Sequence, residues 1–304
     1  MFALLWLIST NVFYKYRVNS YFIAEYACYS FMEQNEPIQI DLDKVVKSKF
    51  RRGKGLPKFV MNYLKRTIHQ DEINSFMRQS SHLQGLEFAT GVKSYFDIEC
   101  DVYGIENIPK DKKFIFVSNH PLGAMDGILL LTELGKIFDG KIKAQVNDLL
   151  MNLKPLAPCF IPVNSYGKQS KSLAKNLDEV FESDNQILVF PAGMCSRKQK
   201  GEIKDLQWKK WFVSNAVSQQ RDIIPVYFDG RNSNFFYNFA LLREKLGIKF
   251  NIELIYLPDE MFKARGKKFG IYFGKPIPWQ TFDSSKSPKE WAQYVKNLVY
   301  RIKK

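Results

Sequence analysis

The sequence has few of the residues that form disulfides, zinc sites and histidine clusters. It contains 4 cysteines and 3 histidines in 304 residues. There is no Cys-x-x-Cys pair and no Cys/His spacing of the kind that binds zinc. A Gly-x-Ser-x-Gly elbow, which would present a serine nucleophile, is also missing. A chain of 304 residues is too long for a disulfide-stapled small protein, and we expect neither a metal nor a bound cofactor. Scattered thiols favour a reducing compartment.

Long apolar runs are missing as well. The N-terminal run over residues 1–13 contains three polar residues at 9–11, and a spanning helix needs ~20 apolar residues. Neither the basic leader nor the small-residue cleavage site of a signal peptide is clear. The sequence becomes more polar after Met32, so we interpret residues 1–31 as a candidate extension of the natural product. We therefore expect no firm transmembrane helix.

Basic residues outnumber acidic ones, with 45 Lys and Arg against 31 Asp and Glu and a net charge of +14. Such a surface attracts polyanions, including nucleic acid, an anionic bilayer or an acidic carrier protein. Residues 44–66 carry basic residues interleaved with aromatic and aliphatic ones, and no acid. This pattern predicts an interfacial membrane anchor. The alternative is a solvated basic loop followed by a helix that packs on the core.

The order of predicted elements indicates an α/β protein. Residues 1–97 are predicted to be a helical N-terminal segment, and strands alternate with helices from residue 98 onward. This alternation predicts a mixed, largely parallel sheet flanked by helices, in one catalytic domain over residues 98–304. The predicted strands lie in residues 97–103, 112–120, 141–146, 159–164, 185–190, 222–229, 251–257 and 268–278. The predicted helices lie in residues 121–138, 170–183 and 288–304.

The sharpest motif is SNHPLGAMDG at residues 118–127. His120 follows an apolar strand, and ligands of α/β proteins bind beyond the carboxyl ends of strands. Asp126 opens the next helix, where its carboxylate can accept from the imidazole and stabilise the imidazolium. A His–Asp pair without a nucleophile predicts direct transfer, in which His120 activates a substrate hydroxyl. The alternative is a turn histidine bonded to the backbone, with Asp126 as a helix N-cap.

This motif resembles the first block of the glycerolipid acyltransferase superfamily, the PlsC-like lysophospholipid acyltransferases. Segments similar to the other blocks follow in order, namely PCFIPVN at 158–164, FPAG at 190–193 and IIPV at 223–226. The resemblance covers residues 97–280 and implies a glycerol-3-phosphate acyltransferase-like fold. It also implies His120 as the general base, Asp126 as its partner, and a fatty acyl thioester of acyl carrier protein or coenzyme A as the donor.

Three departures bear on the acceptor. Ala192 stands where the family has Glu, Asn164 stands where it has Arg, and the spacing is His-x5-Asp rather than His-x4-Asp. The Pro, the Gly and the trailing Gly of this segment resemble the motif His-Pro-x-Gly-x-x-Asp-Gly of a bacterial subgroup. That subgroup is similar to the acyltransferases that O-acylate lyso-aminolipids, the ornithine- or glycine-lipid precursors with a 3-hydroxyacyl chain. A carboxylate head group needs a cation, which Arg197 or Lys198 could supply. The alternative for that pair is a solvated basic loop.

The candidate substrate-binding residues lie within the three blocks at 118–127, 158–164 and 190–193 or directly after the third of them. Backbone N–H groups near Gly193 are candidates for stabilising the tetrahedral oxyanion. The full set of candidates is Asn119, Gly123, Asn164, Gly193, Ser196, Arg197 and Lys198.

These features together predict an O-acyltransferase of bacterial membrane lipid biosynthesis. We expect a lysolipid acceptor, an anionic membrane surface as partner, and a peripheral location on the cytoplasmic face of the inner membrane. One alternative is a 1-acylglycerol-3-phosphate O-acyltransferase. The other is a non-catalytic basic protein that binds membranes or nucleic acid, although no helix-turn-helix, RNP or zinc motif supports nucleic-acid binding.

Overall fold

The computed structural model describes residues 39–49, 56–163, 179–248 and 251–303. The candidate extension at 1–31 and part of the basic stretch, residues 50–55, lie outside this description. The α-helices are α1 Leu42–Lys49, α2 Lys58–Thr67, α3 Gln70–Gln79, α4 Gly85–Tyr95, α5 Met125–Ile137, α6 Trp211–Ser218, α7 Asn234–Lys245, α8 Leu257–Lys263 and α9 Pro288–Val299. The strands are β1 Glu99–Tyr103, β2 Phe114–Ser118, β3 Ile142–Asn147, β4 Phe160–Val163, β5 Gln186–Val189, β6 Arg197–Gln199, β7 Glu202–Lys204, β8 Asp222–Asp229 and β9 Lys268–Phe273.

The chain forms two compact units. One comprises residues 84–233 and 264–304 and contains every strand named above. The other comprises residues 1–83 and 234–263 and is helical in its described part. The domain boundary predicted at residue 97 stays a prediction. None of the described helices combines the length and the apolar character that crossing a membrane requires.

A seven-stranded sheet organises the larger unit, in the order β1-β9-β8-β2-β5-β3-β4. Only β8 and β9 pair in antiparallel fashion, and the other neighbours are parallel. The prediction of a mixed, largely parallel sheet is confirmed. A separate antiparallel hairpin of β6 and β7 was not predicted.

The central strand β2 is buried on both faces, which is why its sequence is an unbroken apolar run. Ile115 and Val117 pack into a cluster with Trp208 and residues of α6 and α9. On the other face the Phe116 ring lies 5.6 Å from the Phe138 ring and 6.0 Å from the Phe273 ring. The carboxyl end of β2, which precedes His120, therefore lies in the middle of the sheet.

One predicted strand is wrong. Residues Ile252–Tyr256 form a 3-10 helix that leads directly into α8. The carboxylate of Glu253 is fully buried and lies 3.2 Å from Nε of Arg243, on α7. Pro258 followed by two acids at the start of α8 is a helix-initiating pattern, and it outweighed the β-branched and aromatic residues.

Of the helix predicted at 170–183, residues 179–182 are helical, and residues 170–178 lie outside the described residues.

Candidate active site

The loop that carries His120 is fixed to the sheet by the residue before it. Asn119 is buried, and its side chain forms two hydrogen bonds with the backbone of Phe228 in β8. Its Oδ1 accepts from the Phe228 N–H at 2.7 Å, and its Nδ2 donates to the Phe228 carbonyl at 2.9 Å. Both polar groups of the amide are thus used within the protein. The substrate-binding role assigned to Asn119 stays a prediction, and its observed contacts position the loop.

The structure brings His120 and Asp126 together, with Nδ1 and Oδ2 3.0 Å apart. Asp126 is fully buried, and backbone N–H groups hold its carboxylate from several sides. Oδ2 accepts from Leu122 at 2.9 Å and from Gly123 at 3.4 Å, and Oδ1 accepts from Gly127 at 2.9 Å. Gly123 has a φ of +80°, a conformation that favours glycine. The turn therefore fixes the carboxylate, and the carboxylate fixes the imidazole.

The pKa of His120 is raised above its usual value. Burial alone lowers this pKa, but the charge of Asp126, its hydrogen bond and the nearby charge of Asp205 outweigh that effect. A raised pKa makes the imidazole a stronger proton acceptor and shifts the range in which it is neutral to higher pH. With Nδ1 turned to Asp126, Nε2 is the atom left to take a proton from a substrate.

A second carboxylate, which the sequence analysis missed, supports the same loop. Asp205 is fully buried, and its Oδ1 accepts from the Ser196 hydroxyl at 2.6 Å and from the His120 N–H at 3.2 Å. Its Oδ2 accepts from Nε1–H of Trp208 at 2.8 Å. The Ser196 N–H donates to the His120 carbonyl at 2.8 Å. Burial raises the pKa of Asp205, and the donors from Ser196, Trp208 and His120 oppose this effect.

The backbone of Asp205 is held in turn by the end of α9. Its N–H donates to the Tyr300 hydroxyl at 2.8 Å, and its carbonyl accepts from Nζ of Lys296 at 2.6 Å. Burial raises the pKa of Tyr300 and lowers the pKa of Lys296. The buried residue Asp205 therefore connects α9 to the His120 loop.

The FPAG segment lies beside the His120 loop because β5 pairs with β2 in parallel register. The rings of Phe190 and His120 have centroids 4.2 Å apart and planes inclined by 31°. Gly193 has a φ of +65°, and its N–H donates to the Phe190 carbonyl at 2.9 Å. That amide is engaged in the turn, and the oxyanion role predicted for amides near Gly193 stays a prediction.

The cations predicted after this segment are placed differently from one another. Arg197 is buried, and its Nη1 donates to the Cys195 carbonyl at 3.1 Å and to the Cys195 Sγ at 2.8 Å. Its guanidinium thus lies against its own loop, which does not fit the alternative of a solvated basic loop. Lys198 is partly buried in β6, and Asn164 lies outside the described residues. The substrate-binding roles of Arg197, Lys198 and Asn164 stay predictions.

Residues 45–304 match the family model described as Acyltransferase. The chain is 52% identical over 264 residues to the lyso-glycine lipid O-acyltransferase of Bacteroides thetaiotaomicron, covering 86% of this chain and 97% of the relative. It is 50% identical over 264 residues to the protein of the same name from Phocaeicola vulgatus, covering 86% and 95%. The crystal structure of the 1-acyl-sn-glycerophosphate acyltransferase PlsC from Thermotoga maritima has a TM-score of 0.44 and 18% identity, over 99% of this chain and 95% of that one.

Proposed function

The chain belongs to the acyltransferase family, and on that premise we propose that it transfers a fatty acyl group from a thioester to the hydroxyl of a lyso-glycine lipid. The acceptor is inferred from the two relatives with that name, which are 52% and 50% identical to this chain. The observation that carries the proposal is the His120–Asp126 pair, with 3.0 Å between Nδ1 and Oδ2, at the carboxyl end of the central strand.

The reaction follows from the orientation of the imidazole. His120 donates its Nδ1–H to Asp126, and its Nε2 accepts the proton of the acceptor hydroxyl as the oxygen attacks the thioester carbonyl. The tetrahedral intermediate then collapses, the C–S bond breaks, and the imidazolium returns the proton to the leaving thiolate. The products are the ester and the free thiol. A positioned general base of this kind contributes typically ~10²–10⁴-fold to the rate.

The donor is proposed to be a thioester of acyl carrier protein or coenzyme A. Acyl carrier protein is acidic, so a chain with a net charge of +14 would associate with it faster through electrostatic attraction. The two donors share the thioester chemistry in which the proposed His120–Asp126 pair would act.

The proposed location is peripheral, on the cytoplasmic face of the inner membrane. In the described part of the basic stretch, α2 exposes Phe59 at 76% and Tyr63 at 47%. Lys58 is exposed on the same helix. Exposed aromatic residues beside cations suit the boundary between lipid head groups and acyl chains. A lysolipid acceptor would reach the enzyme from the membrane.

The proposal is tested with purified protein, anionic vesicles and one acyl thioester. Lyso-glycine lipid, lyso-ornithine lipid and lysophosphatidic acid are supplied in parallel, and the products are identified by mass spectrometry. We expect the di-acylated glycine lipid as the main product. A clear preference for lysophosphatidic acid would contradict the acceptor assignment, and an absence of any acyl product with all three would contradict the proposed activity.

A further inference from the structure

A lysine that the mechanism does not use lies against the FPAG segment. The backbone N–H of Lys209 donates to the Pro191 carbonyl at 3.0 Å. Its Nζ lies 3.1 Å from the position that a Cβ on Gly193 would occupy. The amine therefore sits over the backbone of Gly193, in space that any other residue type would fill.

The segment that carries this lysine is tied to the catalytic loop at two points. The preceding residue, Trp208, donates to Asp205, and Asp205 accepts the His120 N–H. Pro191, which accepts from Lys209, follows the phenylalanine whose ring packs 4.2 Å from the His120 ring. The Lys209 backbone is thus anchored near the base, while its side chain is exposed.

The amine of Lys209 is available for a ligand. Within the part of the chain that the structure describes, it forms no ion pair and no hydrogen bond. Arg197 differs, because its guanidinium is buried against the Cys195 carbonyl and sulfur. Of these two cations, Lys209 is the one that can meet an incoming anion without first breaking contacts.

We propose that Lys209 binds the carboxylate of the acceptor head group and so favours aminolipids with a free acid. This assignment rests on the proposed function. In a lyso-glycine lipid the reacting 3-hydroxyl and the glycine carboxylate are joined by one short amide-containing segment. An acceptor whose hydroxyl lies at His120 can therefore extend its carboxylate along the neighbouring FPAG segment toward a cation. A lysine supplies a single charge, which matches the single charge of a carboxylate.

Loss of this contact has a specific kinetic consequence. An interaction made equally in the bound acceptor and in the transition state changes KM and leaves kcat unchanged. We expect Lys209→Gln to raise the KM for the free-acid acceptor by about 10-fold, the lower end of what a charge-assisted hydrogen bond contributes. The methyl ester of the same lipid carries no charge there, so its KM should be unaffected.

The test compares two acceptors and three variants with one thioester donor. The acceptors are lyso-glycine lipid and its methyl ester, and the variants are Lys209→Gln, Lys209→Arg and the neighbouring exposed Lys210→Gln. We expect only Lys209→Gln to lose the preference for the free acid. Equal changes for acid and ester, or an unchanged KM for the acid, would overturn the assignment. A wild-type protein that acylates neither acceptor would overturn the proposed function and this assignment with it.

Discussion

The carboxylate of Asp205 accepts the backbone N–H of His120 at 3.2 Å, although the two residues lie 85 positions apart in the chain. Asp126 contacts the same residue through its side chain and accepts from the imidazole at 3.0 Å. Two buried carboxylates therefore contact His120. One sets the orientation of its ring, and the other sets the position of its backbone.

Asp126→Asn should lower kcat/KM by about 10²–10⁴-fold, because an amide neither stabilises the imidazolium nor reliably fixes the tautomer. The pH profile gives a second readout. The charge and hydrogen bond of Asp126 raise the pKa of His120 against burial, which lowers it. The neutral base is lost as pH falls through that pKa, so removal of Asp126 should move the acidic limb of kcat/KM to lower pH. An unmoved limb would contradict the assignment of this limb to His120.

Asp205→Asn should also move the acidic limb of kcat/KM to lower pH, by a smaller amount than Asp126→Asn does. The charge of Asp205 also raises the pKa of His120, but it is the smallest of the contributions that do so. The measurement is kcat/KM against pH, with the exposed Asp111→Asn as the control. A lower plateau without a shift would show that Asp205 acts only through the fold.

Asn119→Ala should destabilise the larger unit. The substitution leaves the buried N–H and carbonyl of Phe228 without the side-chain partners that they have at 2.7 and 2.9 Å. Buried groups that lose their partners cost ~1–3 kcal/mol each. Urea unfolding should show a lower midpoint, and the exposed Asn62→Ala should leave it unchanged. An Asn119→Ala protein with wild-type stability would show that water or a rearranged loop replaces both bonds.

Neutralising the basic stretch should weaken binding to anionic vesicles. Each cation near such a surface contributes ~1 kcal/mol to the free energy of binding. Binding is measured by sedimentation with vesicles of defined composition. The variant carries Gln at Lys49, Arg51, Arg52 and Lys54. The control removes the same number of charges at four exposed lysines, Lys110, Lys200, Lys267 and Lys289. Equal losses in the two proteins would assign the binding to net charge and not to this stretch.

The predictable part of the site is local in sequence. His120 and Asp126 lie six residues apart, at the end of a strand and in the first turn of the next helix, and the motif SNHPLGAMDG predicts their pairing. The alternation of strands and helices also predicts a largely parallel sheet. The pairing of β2 with β5, which brings the FPAG segment to the same edge of the sheet, is seen only in the folded chain.

The unpredicted part depends on contacts between distant segments. Asp205 follows a short hairpin and has no motif of its own, and only the folded chain brings it to His120. The strand predicted at 251–257 failed for one local and one tertiary reason. Pro258 and the two acids after it initiate a helix directly behind this segment. Glu253 is also buried against Arg243 of α7, and such an ion pair cannot be read from the preferences of neighbouring residues.

The role of His120 as the base is tested most directly by the rate of acyl transfer to lyso-glycine lipid by the wild-type protein and by His120→Gln. One thioester donor is used, product is measured by mass spectrometry, and circular dichroism with a urea unfolding curve verifies the fold of both proteins. We predict that kcat/KM falls by at least ~10²-fold in the variant while the unfolding curve is retained. A correctly folded His120→Gln protein with near-wild-type turnover would contradict the role of His120 as the base.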